Sequence, residues 1–394
     1  TVQSFQWSPD GTRIAFSATR TPDLSDGGTS DIYVVSLAGK TVKRIVDTPG
    51  PDSDPVWSPG GEYIAFSTAN GEEFFYYKNS RIAMVRATGG EPRVLTTGFD
   101  EEPNLLEWSD QGIWFAAMQK THSWVYLLDT GTGRWRRALG SEDFSVMGGS
   151  FSKDYKTAAV LGVAPNSYSE VFVTPLSTAA PRALTDFKSQ YKDFTPANRE
   201  VVRWQSKDGT QIEGVLIKPA DFTPGNRYPL LVVIHGGPTG VDRPWRTADR
   251  TYPIEQFAAK GALILRPNYR GSAGYGEAFR SLNVRNLGVG DMWDVESGVD
   301  YLVAQGLADP DRVGAMGWSQ GGYISAFLAA NSTKFRALSV GAGISDWMTY
   351  YVNTDIHPFT RQYLKATPWD DPAIYAKTSP ITNIRKARTP TLIQ

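Results

Sequence analysis

The feature that most limits what this chain can fold into is a repeat. Phe5-Gln-Trp-Ser-Pro-Asp-Gly-Thr-Arg-Ile-Ala-Phe16 returns as Pro55-Val-Trp-Ser-Pro-Gly-Gly-Glu-Tyr-Ile-Ala-Phe66. Weaker copies stand at Glu107-Trp-Ser-Asp-Gln-Gly-Ile-Trp-Phe115 and Gly149-Ser-Phe-Ser-Lys-Asp-Tyr-Lys156. The spacing is about 45 to 50 residues, the length of one propeller blade. Each copy runs on into an alternating strand, Asp31 to Leu37, Arg81 to Ala87, Trp124 to Asp129 and Glu170 to Pro175, and three close on Arg-x-Leu-Thr or a near relative. In Ser-Pro-Asp-Gly, proline presets φ and glycine takes the left-handed position, so the turn joins two antiparallel strands tightly. Each unit is then a small antiparallel sheet, and four units predict part of a β-propeller, a fold that commonly has four to eight blades. The chain opens inside a blade, so further blades are expected before Thr1. A β-sandwich would account for the strands but not for the period.

After about residue 195 the grammar changes. Glu200 to Trp204 and Ile212 to Lys218 predict a hairpin about Asp208-Gly209, and buried strands then alternate with helices. The strands are Leu230 to Ile234, Ala262 to Arg266, Val313 to Gly317, Ala337 to Gly341 and Thr391 to Gln394. Helices are expected near Pro253 to Lys260, Asp291 to Gln305 and Gly321 to Ala330, an order that gives a doubly wound, mostly parallel sheet. A chain of 394 residues exceeds what one core holds, so two domains are predicted: blades over 1–195 and an α/β-hydrolase domain over 196–394.

Composition removes several functions. Forty basic against forty-one acidic residues leave a net charge of −1, which offers a phosphate backbone no general attraction, so nucleic acid is not an expected partner. Apolar runs are about five residues long where a membrane span needs about 20. There is no cysteine, hence no disulfide, thiolate metal site or thiol nucleophile. No metal or cofactor is implied, a homo-oligomer is compatible with the sequence, and neither a cytoplasmic nor an exported location is favoured.

Gly317-Trp-Ser-Gln-Gly321 has the form G-x-S-x-G, with a strand before it and a helix after it. That is a nucleophile elbow, a strained turn that lifts serine above the sheet and tolerates only tiny neighbours. Ser319 is the expected nucleophile. The helix that follows presents free N–H groups and a positive dipole end to the anion formed when serine attacks a carbonyl. The Gln320 amide should supply one oxyanion bond. His235-Gly-Gly-Pro238 follows a strand where this fold places the second donor, and Gly237 is the candidate. His235 itself reads as a loop-shaping hydrogen-bonder.

With the Asn268-Tyr-Arg-Gly-Ser-Ala-Gly-Tyr-Gly276 and Gly290-Asp-Met-Trp-Asp294 runs, these motifs resemble the prolyl oligopeptidase family of serine peptidases, close to its acylaminoacyl-peptidase and dipeptidyl-peptidase branches. The resemblance implies cleavage of short peptides, often after proline or another small or apolar residue, beneath a propeller. It implies that Trp347 and Tyr350, with Ile344, form the primary specificity pocket; the alternative is that the two aromatics are ordinary core. In the dipeptidyl-peptidase branch a tyrosine adds an oxyanion donor, and His235 takes that place here. Propeller glutamates hold the substrate amino terminus in that branch, a role Glu101 and Glu102 match by position, although a solvated acidic turn is the plainer reading.

A hydrolase of this fold needs an acid and then a histidine. The family carries the acid after a strand like Thr389 to Gln394, in a loop opening with His-Gly, so the natural protein is expected to continue past Gln394 and cover that strand. Within the chain, Ser319, Asp346 and His357 also satisfy the order. His122 reads as a surface residue. The function expected is a serine peptidase acting on short peptides; the alternatives are a carboxylesterase on the same fold and a catalytically silent, peptide-binding propeller.

Overall fold

The computed structural model describes residues 1–247 and 252–394. They divide into two compact units, Thr1–Val163 with Glu170–Asp186, and Ala164–Ser169 with Phe187–Gln394. The break placed after residue 195 from sequence lies a little beyond this division.

The first unit is four four-stranded antiparallel sheets, one per repeat. Blade 1 holds β1 (Val2–Trp7), β2 (Arg13–Ala18), β3 (Asp31–Ser36) and β4 (Thr41–Val46). Blade 2 holds β5 (Asp52–Trp57), β6 (Tyr63–Thr68), β7 (Arg81–Arg86) and β8 (Arg93–Val94). Blade 3 holds β9 (Pro103–Ser109), β10 (Gly112–Gln119), β11 (His122–Leu128) and β12 (Trp135–Leu139). Blade 4 holds β13 (Ser145–Phe151), β14 (Thr157–Val163), β15 (Glu170–Pro175) and β16 (Arg182–Ala183).

The repeated residues explain the repeated geometry. Gly11 at φ 68° donates its N–H to Ser8 O at 2.9 Å, and Gly61 at φ 75° repeats this on Ser58 O at 2.9 Å. The closing Arg-x-Leu-Thr works through its threonine. Thr96 Oγ1 accepts from Ile82 N at 2.9 Å and Thr185 Oγ1 accepts from Val171 N at 2.9 Å, so each hydroxyl ends a short outer strand by capping its neighbour. Tryptophan joins neighbouring blades: Trp57 Nε1 donates to Gln6 O at 3.1 Å, beneath the Arg13 guanidinium. Apolar layers fill the space between sheets, with Ile32, Ile64 and Phe66 in one and Ile82, Phe115 and Leu128 in the next.

The second unit is built on one seven-stranded sheet. Its strands are β17 (Asn198–Gln205), β18 (Gln211–Lys218), β19 (Tyr228–Ile234), β20 (Leu263–Asn268), β21 (Ala308–Trp318), β22 (Ala337–Gly341) and β23 (Thr391–Ile393), in the order β17-β18-β20-β19-β21-β22-β23. β17 and β18 form the expected hairpin, β18 pairs antiparallel with β20, and the remaining pairs are parallel. Propeller sheets and a mostly parallel hydrolase sheet are thus both present. The helices are α1 (Ile254–Ala259), α2 (Gly276–Arg280), α3 (Gly290–Ala304), α4 (Gln320–Asn331), α5 (Trp347–Asn353), α6 (His357–Leu364) and α7 (Pro372–Thr378). The last three were not legible in the sequence.

Two of the quoted runs meet in a buried ion pair. The Arg270 guanidinium grips Asp294 of α3 with Nε at 3.0 Å and Nη2 at 2.8 Å, and its backbone N–H reaches the same carboxylate at 2.7 Å. Its outer edge forks onto Asp208, in the β17–β18 turn, at 2.9 and 3.1 Å. Trp204 Nε1 donates to Asp294 O at 3.0 Å. Breaking such a pair from one side costs about 3–5 kcal/mol, because the other charge stays buried.

One turn before Asp294, Asp291 is fully buried. One of its oxygens accepts from Met292 N at 2.8 Å, and the other has no hydrogen-bond partner among the described residues. Burial raises its carboxyl to about 7, with Asp294 adding to the shift and Arg270 opposing it. Between an unfolded value of about 4 and this folded one, the folded chain holds an extra proton, so stability falls as pH rises through that window. Asp291→Asn is expected to raise the thermal midpoint clearly at pH 8 and little at pH 5; equal shifts at both would show that the carboxyl titrates normally.

Candidate active site

The elbow exists because backbone crosses backbone with almost no room. Ser319, between β21 and α4, has φ 57° and ψ −120°, outside the regions an L-residue favours. It is held there by its N–H on Gly341 O at 3.0 Å and by its carbonyl accepting from Tyr323 N at 2.9 Å. A β-carbon on Gly321 would lie 2.0 Å from Ile234 O, one on Gly322 2.0 Å from Gly341 O, and one on Gly317 2.3 Å from Gly321 C. Those contacts fix the small residues of the motif, and Ser319 stands exposed at the end of the parallel strands.

The loop after β19 lies against it. A β-carbon on Gly236 would come within 3.3 Å of Ser319 Cβ and 3.8 Å of Oγ. Gly237, the donor expected from sequence, is the next residue, at φ 131°. Among the described residues the amides of Gly236 and Gly237 make no internal hydrogen bond. Gln320 opens α4, so its N–H has no partner within the helix. Its side chain is buried. Three amides without an internal partner among the described residues therefore lie on the two segments that meet at the elbow, the start of α4 and the loop after β19.

His235 is buried, with Nδ1 2.8 Å from Gly236 O and Nε2 3.1 Å from Ser272 Oγ. Its ring stacks on Tyr269 with centroids 4.4 Å apart. Burial lowers its pKa, so it stays neutral and shapes the loop. His357 meets the Tyr351 ring edge-on at 5.6 Å. Asp346 caps α5, accepting from Met348 N at 3.0 Å and Thr349 Oγ1 at 2.9 Å. Neither group bonds the other or Ser319, so the internal Ser319, Asp346, His357 order is not assembled. The capping chemistry of an Asp directly ahead of a helix is what the order mimicked. In the first unit, His122 Nε2 lies 3.7 Å from Glu142. No group of three or more possible metal ligands occurs among the described residues.

Trp347 is fully buried, packed edge-on to Tyr323 at 5.0 Å and to Tyr350 at 5.5 Å. Ile344 and Tyr350 are partly exposed. The acidic pair in the first unit is not a solvated turn: Glu101 is 8% exposed, and Glu102 accepts from Ser80 Oγ at 2.5 Å. Sequence reading missed the supports of the loop, namely Asn268, Tyr269 and Ser272. The motif containing them was visible, but not what each side chain holds.

A strand–serine–helix elbow beside a glycine loop, on this sheet order, is the arrangement of the α/β-hydrolase fold. The sequence model of the prolyl oligopeptidase family matches residues 250–394, so the family read from the motifs is the one that the elbow-bearing segment matches. Dipeptidyl-peptidase 5 of Porphyromonas gingivalis is 25% identical over 409 residues, covering all of this chain and 58% of that protein. An acylaminoacyl peptidase in complex with Z-Gly-Gly-Phe-chloromethyl ketone has the same fold, with a TM-score of 0.84 at 23% identity over 99% of this chain and 60% of its own. A puromycin hydrolase follows at a TM-score of 0.78 and 19% identity, covering 100% and 60%. The chain thus spans less than two thirds of the length of each. No helix among the described residues is long and apolar enough to cross a membrane.

Full burial sets an expectation for Trp347. Trp347→Ala should lower stability by about 3–5 kcal/mol, read as a lower urea midpoint, whereas Tyr350→Ala should shift it far less. Equal, small shifts would place the Trp347 ring outside the core.

Proposed function

We propose that the protein is a serine peptidase acting on short peptides through an acyl-enzyme on Ser319. The observation that carries this is the strained, exposed serine at the head of α4, with the Gly236 backbone packed against it and the amides of Gln320, Gly236 and Gly237 without internal partners among the described residues. Oγ attacks the scissile carbonyl, and its proton passes to a histidine base. The carbonyl oxygen, now negative, takes hydrogen bonds from the amides, each such donor being worth about 100- to 1000-fold in kcat. Collapse expels the amine with the proton returned by the base, and water then releases the acyl group by the same route. His235 is buried with its ring nitrogens against Gly236 O and Ser272, and His357 packs edge-on against Tyr351 without a hydrogen bond to Ser319, so this reading requires a base that neither provides.

The similarity to a dipeptidyl-peptidase and to an acylaminoacyl peptidase bound to a peptidyl chloromethyl ketone supports a peptide bond as target. Ile344 and Tyr350, partly exposed, with Trp347 behind them, are proposed to bound the pocket for the residue before the cut, favouring small or apolar side chains and proline.

The test is covalent labelling of the full-length protein with a fluorophosphonate, followed by digestion of a mixed peptide library. Labelling confined to Ser319, lost in a folded Ser319→Ala variant together with all hydrolysis, is the expected result. Labelling that survives Ser319→Ala would dismiss this nucleophile, and ester turnover without any peptide cleavage would dismiss the peptidase.

A further inference from the structure

The loop that carries Gly236 and Gly237 is fastened near both ends by side chains from the end of β20 and the turn after it. Tyr269 Oη donates to His235 O at 2.9 Å, and Ser272 Oγ lies 3.1 Å from His235 Nε2, which fixes the start of the loop. At the other end Asn268 grips the backbone of Asp242 from both sides: its Oδ1 accepts from Asp242 N at 2.6 Å and its Nδ2 donates to Asp242 O at 2.9 Å. The second proton on Nδ2 goes to Tyr275 Oη at 3.0 Å, and Tyr275 in turn donates to Glu213 at 3.0 Å. Glu213 is paired with Arg203 at 2.8 Å. Arg266 of β20 adds an ion pair to the Asp242 carboxylate at 2.7 Å.

Asn268 is wholly buried, and both its donor protons and its acceptor are used. A side chain in that state has one orientation, and a grip on both the N–H and the C=O of Asp242 restrains the two peptide planes that meet at its Cα. Asp242 lies five residues beyond Gly237, within a loop folded so tightly that a β-carbon on Gly240 would meet Gly236 O at 2.6 Å. Movement at Asp242 therefore passes directly to the glycines facing Ser319.

We infer that Asn268 is a positioning residue for the oxyanion hole: it touches no substrate, and it holds the 235–242 loop so that the glycine amides meet the carbonyl oxygen as it becomes charged. This rests on the reading of Ser319 as nucleophile. Because the amides gain most when the oxygen is negative, loss of the grip should fall on kcat and spare KM. A misplacement of about 1 Å near the chemistry costs about 100-fold.

The full-length protein is assayed with p-nitrophenyl acetate, which needs the same oxyanion stabilisation whatever the peptide preference, and by the rate at which a fluorophosphonate labels Ser319. Asn268→Ala is expected to lower kcat and the labelling rate by about 10- to 100-fold, with KM within about twofold. Asn268→Asp keeps an acceptor for Asp242 N but loses both donated bonds, and should fall between. Tyr275→Phe removes the far anchor of Nδ2 and the bond to Glu213 while leaving both bonds from Asn268 to Asp242, so it reports even if the Asn268 variants do not fold; a several-fold loss confined to kcat is expected. Wild-type labelling and turnover with unchanged kcat in a folded Asn268→Ala or in Tyr275→Phe would overturn the inference alone. A rise in KM at constant kcat would also overturn it. No labelling of the wild type would overturn the nucleophile and this inference together.

Discussion

The second unit depends on how closely three backbone segments pass one another at the end of β21. Gly317, Gly321 and Gly322 let the turn at Ser319 lie against the ends of β19 and β22 at distances no side chain permits. That proximity is costly in itself, since it holds a serine at φ 57° and leaves amides without internal partners. It persists because strands on either side are locked by parallel ladders, with β21 between β19 and β22. The strain and the unspent donors have one origin.

Around this point the remaining support is polar and buried. Arg270 satisfies Asp294 and Asp208 together, so the β17–β18 turn, the segment after β20 and α3 share one ion cluster. Asn268 and Tyr269, the two residues just before Arg270, turn the same segment toward the glycine loop. Gly290 belongs to this arrangement as well, because a β-carbon there would strike Arg270 Cδ at 2.6 Å. The two runs, Asn268 to Gly276 and Gly290 to Asp294, are thus halves of one contact, separated in sequence and joined in space.

What could be read beforehand follows from the range of the interaction. Blades were legible because a blade is local: turn glycines, alternating strands and a closing threonine all lie within one repeat. The elbow was legible for the same reason, as strand, serine and helix are contiguous. Asn268 and Asp242 stand 26 residues apart and Arg270 and Asp208 62 apart, distances over which no periodicity speaks. Asp346 misled because a helix cap and a triad acid look alike in a string of letters, and the difference lies in what the carboxylate accepts. Glu101 misled in the opposite sense: charge implied solvent, and the fold buries it.

The sheet order carries a consequence for how the chain acquires its shape. Each blade zips from hairpins whose partners are near neighbours, while β19 must wait for β21, with Leu230 beside Val313, before the glycine loop has anything to face. Contacts between distant residues form late because loop closure must be offset before they yield anything. The serine and the glycine loop can therefore be brought together only once β19 and β21 have paired in register, an event that spans some 80 residues of chain where a blade hairpin spans about a dozen.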